Sequence, residues 1–245
     1  MAVVPESSEE ERLFESHLPK GKRCDSFDDA ASDCSTTSGS FDNFSDQGEE
    51  GDVVTLTFFD WDDTLFPTTW LQQQGLLRED ATLRQDQMNV LGQLASSVEK
   101  TLRLALQFGR VVIVTNAQQG WVQMSCAKMM PSLRAILDEV DIVSARSTYE
   151  DLSHSPSEWK RLAFQHELRD CLRVGQYNLI SVGDSLHEQR AVMSLCDNMH
   201  NCFSKSMKFL EVPAVEQLIE EHEFVVSCFL DVAEHNGNLD VEVAL

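Results

Sequence analysis

The chain has 245 residues, 42% of them hydrophobic and 24% charged, which fits one folded domain with a tail. Its 41 acidic against 19 basic side chains give a formal charge of -22, which excludes the basic footprint of a nucleic-acid binder and docking on an anionic membrane surface. No apolar run is long enough to span a bilayer, and the first eleven residues carry four glutamates and no basic group, unlike a secretory or transit peptide. No nucleic-acid and no membrane partner is therefore expected. Seven cysteines at scattered spacing, with no Cys-x-x-Cys, predict reduced thiols that pack as small hydrophobes in a cytoplasmic or nuclear protein.

Residues 1–52 hold 14 acidic and 4 basic side chains, are rich in serine and show no sustained period of 2 or 3.6. Such a segment buries too little apolar surface to offset its ordering entropy, so a disordered acidic tail is expected there. Ser26 and Ser45, each followed by acids, have the look of acid-directed kinase sites, and a plain solvated spacer is an equal reading.

At Val53 the texture changes. Val53-Val54-Thr55-Leu56-Thr57-Phe58-Phe59 is β-branched and aromatic and reads as a buried strand. Leu91, Leu94, Val98, Leu102 and Ala105 then fall at helical spacing within 83–108, with Gly109 as the stop. Val111–Val114 is a second strand, and Asp141–Ser144 a shorter third. Ser155-Pro156-Ser157-Glu158 predicts a capping box and a helix to about Cys171. Leu179–Val182 is a fourth strand, 206–210 a fifth, and a closing helix carries Val215, Leu218, Ile219, His222 and Val226. Uniformly apolar strands alternating with helices predict an α/β class, three-layer Rossmann-like fold on a mostly parallel sheet over 53–235, with a short C-terminal tail from 236.

In open parallel sheets ligands bind beyond the carboxyl ends of the strands. Asp60-Trp61-Asp62-Asp63-Thr64-Leu65 follows the first strand, Thr115-Asn116 ends the second, and Gly183-Asp184 with Glu188 follows the fourth. Carboxylates gathered at one rim need a compensating cation, and a hard divalent ion with oxygen ligands, Mg²⁺, is the natural one. Beside it a carboxylate can attack phosphorus, and a second can protonate the leaving oxygen. Thr115, Asn116 and a lysine would hold the oxygens of the transferring group.

In this order the chain resembles the haloacid dehalogenase-like superfamily of aspartate-based phosphohydrolases. Its first motif, Asp-x-Asp-x-Thr-Leu after a strand, is matched by Asp60 to Leu65. The second, a strand ending in Thr and Asn, is matched by Thr115-Asn116, and the last by Gly183-Asp184 through Glu188. The resemblance spans about 53–225 and leaves the acidic tail uncovered. It implies Asp60 as nucleophile, Asp62 as general acid/base, and Mg²⁺ held by the Asp60 and Asp184 carboxylates and the Asp62 backbone carbonyl. It implies Thr115 at the phosphoryl group, and a motif lysine: Lys160 in the first turns of the helix before strand four, with Lys128 as runner-up. Asp63 stands where glycine is common, and Glu188 where aspartate is more usual. No large cap domain fits the two intervals between motifs, so only a short flap over 66–77 is expected. An open site of that kind suits a phosphoprotein or another bulky substrate.

Competing readings exist for several residues. A receiver-type signalling module also joins acids, a hydroxyl and a lysine on a parallel sheet, but there the lysine comes last. A non-catalytic scaffold that binds partners through the acidic tail is the other alternative. Trp61 and Trp70 are expected to pack rather than stack on a substrate ring, His187 to lie at the surface, and Glu220-Glu221-His222-Glu223 to be a solvated helix face.

Overall fold

A computed structural model describes residues 53–78, 80–171, 175–197 and 199–243. The expected tail over 1–52 lies outside the described residues. Six strands form one sheet: β1 (Val53–Phe59), β2 (Arg110–Thr115), β3 (Asp141–Ser144), β4 (Gln176–Gly183), β5 (Cys202–Lys208) and β6 (Leu239–Glu242). The order is β3-β2-β1-β4-β5-β6 and every pairing is parallel. This is a doubly wound Rossmann-like sheet, and the strand order reverses direction between β1 and β4, where a crevice opens at the carboxyl ends.

The helices are α1 (Thr68–Gln73), α2 (Gln85–Phe108), α3 (Trp121–Met129), α4 (Arg134–Leu137), α5 (Ala145–Tyr149), α6 (Pro156–Asp170), α7 (Leu186–Cys196) and α8 (Val215–Glu234). A strand's side chains alternate between faces, so each strand feeds two cores. Phe59, Ile113, Ile180, Val182 and Met207 pack with α2, α3 and α8 residues such as Leu94, Val98, Val122, Leu218 and Phe229. Leu56, Phe58, Val112, Val114 and Leu179 pack on the other face with Phe164 and Leu168 of α6 and Val192 of α7. Phe58 and Phe164 stack with ring centroids 3.9 Å apart. Each fully buried Leu or Phe contributes roughly 1.5–3 kcal/mol from water exclusion, and both layers are needed to cover a parallel sheet.

Gly109 turns α2 into β2 where no side chain fits: a Cβ there would lie 2.1 Å from the Thr55 carbonyl oxygen. Between β1 and β2 the described residues hold only α1 and its following turn besides α2.

Several expectations are corrected. Residues 236–243 do not form a tail, because Leu239–Glu242 adds a sixth strand to the β5 edge. The fifth strand begins at Cys202 rather than 206. Ser155 precedes α6 but makes no side-chain cap, and Glu158 pairs instead with Arg161. The residues Glu221 and His222 are fully buried, not solvated, while Glu220 and Glu223 face outward. The helix period explains it: Leu218, Glu221, His222 and Val225 share the inward stripe of α8. Finally, Cys196 and Cys202 pair as a disulfide rather than as two reduced thiols. The tight turn from α7 into β5 brings their Cα atoms to 5.1 Å, within disulfide reach. Among the described residues no helix is long and apolar enough to cross a membrane.

Candidate active site at the switch point

The residues that leave β1 and β4 come together at the switch point between those two strands. The Asp60 backbone N–H donates to Val182 O at 3.0 Å, so the end of β1 is bonded to β4 up to its last residue. Asp60 is buried, as are Lys160 and Glu188. Lys160 comes from the second turn of α6 and places its ammonium 2.7 Å from Asp60 Oδ1. The same ammonium is in short contact with Glu188 Oε1. Lys128 lies elsewhere and donates to the Arg78 carbonyl.

Asp184 completes the cluster. Carboxylate oxygens of Asp60, Asp184 and Glu188 all lie within 4.8 Å of one another. Glu188 is fixed from two sides. It is the third residue of α7, where it accepts from the Ser185 N–H and hydroxyl while the Ser185 hydroxyl accepts from the His187 N–H. Gly183 makes room for it, since a Cβ at that position would lie 2.4 Å from Glu188 Cγ.

The electrostatics follow from three carboxylates around one ammonium. Burial, above all, pushes Asp60 up to about 7; Lys160 opposes this, and the charges of Glu188 and Asp62 add to it. Asp184 is pushed up to about 9, first by burial, then by Asp60 and Glu188. Glu188 is held low despite its burial by the charge and hydrogen bonds of Lys160 and by Ser185. Lys160 is raised in spite of burial by Asp60 and Glu188. The donor set is all hard oxygen with net negative charge, which fits a small divalent cation such as Mg²⁺.

The turn after β1 is built to present its acids. Leu65 and Phe66 N–H groups return to the Trp61 carbonyl at 3.0 and 2.8 Å. Asp63 takes a left-handed φ of 53°, a conformation aspartate visits more readily than bulkier residues, which accounts for an acid where glycine is common. Its carboxylate accepts from the Thr69 N–H at 2.8 Å and the Thr69 hydroxyl at 2.5 Å, tying the turn to α1. Asp62, two residues beyond Asp60, is half-buried and its carboxylate turns to a different set of partners. Oδ1 accepts from the Thr68 hydroxyl at 2.5 Å and the Trp121 indole N–H at 2.8 Å; Oδ2 accepts from the Thr115 hydroxyl at 3.1 Å.

Thr115 thus stands at the rim as expected, bonded here to Asp62 and accepting the Ala117 N–H. Asn116, expected to bind phosphate, lies beside it, and its amide N–H donates to the Pro156 carbonyl at 3.3 Å, bracing the start of the helix that carries Lys160. Trp61 is fully buried, with its indole N–H on Ser125 Oγ at 3.0 Å, and Trp70 packs at the edge of the core. His187 is half-buried at the start of α7.

Sequence reasoning missed three supports. Thr68 and Trp121 carry no periodic or motif signal, and they meet Asp62 only because α1 and α3 converge on the turn. His222, fully buried on α8, puts Nε2 2.9 Å from the Thr64 carbonyl and Nδ1 3.0 Å from the Thr101 hydroxyl. The carbonyl can only accept, so Nε2 carries the proton; the Thr101 hydroxyl also reaches the Ser97 carbonyl at 3.1 Å. Burial pushes the imidazole down to about 4, so it stays neutral and holds the turn from behind.

No protein-family model, curated protein or solved structure matches the chain.

The raised carboxyls have a consequence for metal binding. Between the unfolded-state pKa of 3.8 and the folded values near 7 and 9, the folded protein holds protons that the unfolded chain has lost. Stability therefore falls as pH rises through that window, and a divalent cation competes for the same oxygens. The Mg²⁺-induced rise in Tm of the full chain is expected to be larger at pH 8.5 than at pH 6. At a hundredfold excess over Kd, binding adds about 2.7 kcal/mol, or about 5–10 °C for a domain of this size. Thermal melts with Mg²⁺ and with chelator at both pH values check this, and equal increments would contradict it.

Proposed function

We propose that this chain is a Mg²⁺-dependent phosphohydrolase of the haloacid dehalogenase-like type, cleaving phosphomonoesters through an aspartyl-phosphate. The observation that carries the reading is the contact of the Lys160 ammonium with a buried Asp60 carboxylate at the β1/β4 switch point, beside Asp184 and Glu188. A carboxylate kept dry and oriented by an ammonium is a nucleophile prepared for an electrophile that brings its own negative charge.

In this scheme an Asp60 oxygen attacks phosphorus and the bond to the leaving oxygen breaks. Asp62 gives that oxygen its proton. Water then attacks the aspartyl-phosphate, Asp62 takes the water's proton, and the Asp60–phosphorus bond breaks to release inorganic phosphate and restore both carboxyls. Lys160 offsets charge on the phosphoryl oxygens, and Thr115 offers its hydroxyl to them once it turns from Asp62. Asp60 and Asp184 would hold Mg²⁺ with the Asp62 backbone carbonyl. Glu188 is bound to Lys160 and Ser185, and so orients the lysine. A bound Mg²⁺ would supply charge neutralisation at the phosphoryl group.

Between β1 and β2 the described residues hold only α1, its following turn and α2, which supports a substrate whose phosphoryl group projects from a larger body. Hydrolysis of aryl phosphates and phosphopeptides by the full chain, with Mg²⁺ and with chelator, tests the reading. Chelator-sensitive release of phosphate is expected. Metal-independent release would point to a different reaction.

A further inference from the structure

Nothing in the motif set assigns a role to Trp121, yet its indole is one of three donors on the side chain that must move a proton twice. We propose that Trp121 is the positioning residue of the general acid: its indole holds Asp62 Oδ1 and leaves Oδ2 turned toward Thr115. The inference rests on the phosphatase reading above.

The donors on Asp62 differ in kind. Thr68 and Thr115 bring hydroxyls, which can donate to a carboxylate or turn and accept from a protonated carboxyl. The indole N–H of Trp121 can only donate. The oxygen it touches, Oδ1, is therefore held as an acceptor by a donor that cannot turn. Oδ2 instead meets a hydroxyl, which can turn. That oxygen faces Thr115, at the end of β2 where the phosphoryl group is expected.

The helix that supplies Trp121 is anchored to the same turn a second time. Ser125, one turn along α3, accepts the Trp61 indole N–H at 3.0 Å and donates to the Trp121 carbonyl at 2.7 Å. Phe66 stacks on Trp61 at 5.4 Å and meets the Trp121 ring edge-on at 6.2 Å. Gly120, at φ 92°, lets the chain enter α3 so that Trp121 begins the helix. Residues 61 and 62 are thus both held by the first turns of one helix, which fixes the acid relative to Asp60 without touching substrate.

The test is the dependence of rate on leaving-group basicity. Full-length wild type and Trp121→Phe would be assayed with Mg²⁺ on a series of aryl phosphates from nitrophenyl to unsubstituted phenyl. A good leaving group needs no proton and a poor one does, and general-acid assistance contributes roughly 10²–10⁴-fold. The variant is expected to stay within about threefold of wild type on nitrophenyl phosphate and to lose about 10–100-fold on phenyl phosphate, part of that general-acid contribution. An equal loss across the series, as from a loosened fold, would overturn the proposal, and so would no loss at all. Trp121→His, which keeps a ring N–H, is expected to return the slope toward wild type, and a steep slope there would also overturn it. Should wild type turn over no aryl phosphate, it is the phosphatase reading that has failed, before the role of Trp121 is reached.

Discussion

Asp60→Asn is expected to lose at least about 10⁴-fold in turnover, the scale seen when a member of a covalent catalytic set is removed, while the protein stays folded. The amide has nearly the same shape but cannot attack phosphorus, so no acyl-phosphate can form. The fold tolerates the change because the carboxylate it replaces is costly to hold. Asp60 is buried, and burial and the charges of Glu188 and Asp62 push its pKa up against the pull of Lys160. The variant keeps the backbone bond from residue 60 to Val182 and leaves Lys160 its contact with Glu188. Wild-type and variant melts, compared with steady-state rates, check both halves of the expectation. Retained turnover would remove Asp60 from the role of nucleophile.

The second large effect concerns Lys160. It is 2% exposed and touches Asp60 and Glu188, whose side chains are 9% and 3% exposed, so no water can replace it cheaply. Removing one partner of a buried ionic set leaves the others uncompensated, at a cost of about 3–5 kcal/mol. Lys160→Met is therefore expected to lower Tm by roughly 10 °C, taking about 2–4 °C per kcal/mol for a domain of this size. The sign of the pH dependence is fixed by the carboxyls. They become neutral as pH falls, so the deficit should shrink below pH 6, and Mg²⁺ should recover part of it at pH 8 by supplying positive charge. Thermal melts of the variant at pH 5.5 and 8, with and without Mg²⁺, read all three effects. An unchanged Tm at pH 8 would mean that the buried contact contributes nothing to the fold.

Much of the architecture was legible because a parallel sheet buries both faces of its strands. Val111–Val114 is apolar without interruption and Val53–Phe59 is broken only by two β-branched threonines, and such runs stand out from the amphipathic helices between them. The carboxylates after β1 and β4 were legible because strand ends are where such sheets bind ligands. Lys160 could be chosen over Lys128 by its place ahead of the fourth strand, and it sits on Asp60. The failures have physical causes as well. Leu239-Asp240-Val241-Glu242 is short and alternates in polarity, so an edge strand covered on one face reads like a polar tail. Glu221 and His222 sit in a run of charged residues, and only the register of α8 decides that they point inward. Trp121 lies 59 residues from Asp62 in sequence, and no local pattern announces a contact made by the convergence of a helix and a turn.

The most direct measurement of the central claim is to look for the covalent phosphoryl group on Asp60. Full-length protein would be mixed with an aryl phosphate and Mg²⁺, quenched in acid within one turnover, and digested for mass spectrometry. An aspartate-nucleophile phosphatase gives a phosphate adduct on the peptide carrying Asp60, absent with chelator and absent in Asp60→Asn. Turnover without that adduct, with phosphate released at the same rate from Asp60→Asn, would contradict the mechanism. A folded protein that binds Mg²⁺, forms no adduct and hydrolyses neither aryl phosphates nor phosphopeptides would favour a non-catalytic binding role for the same fold.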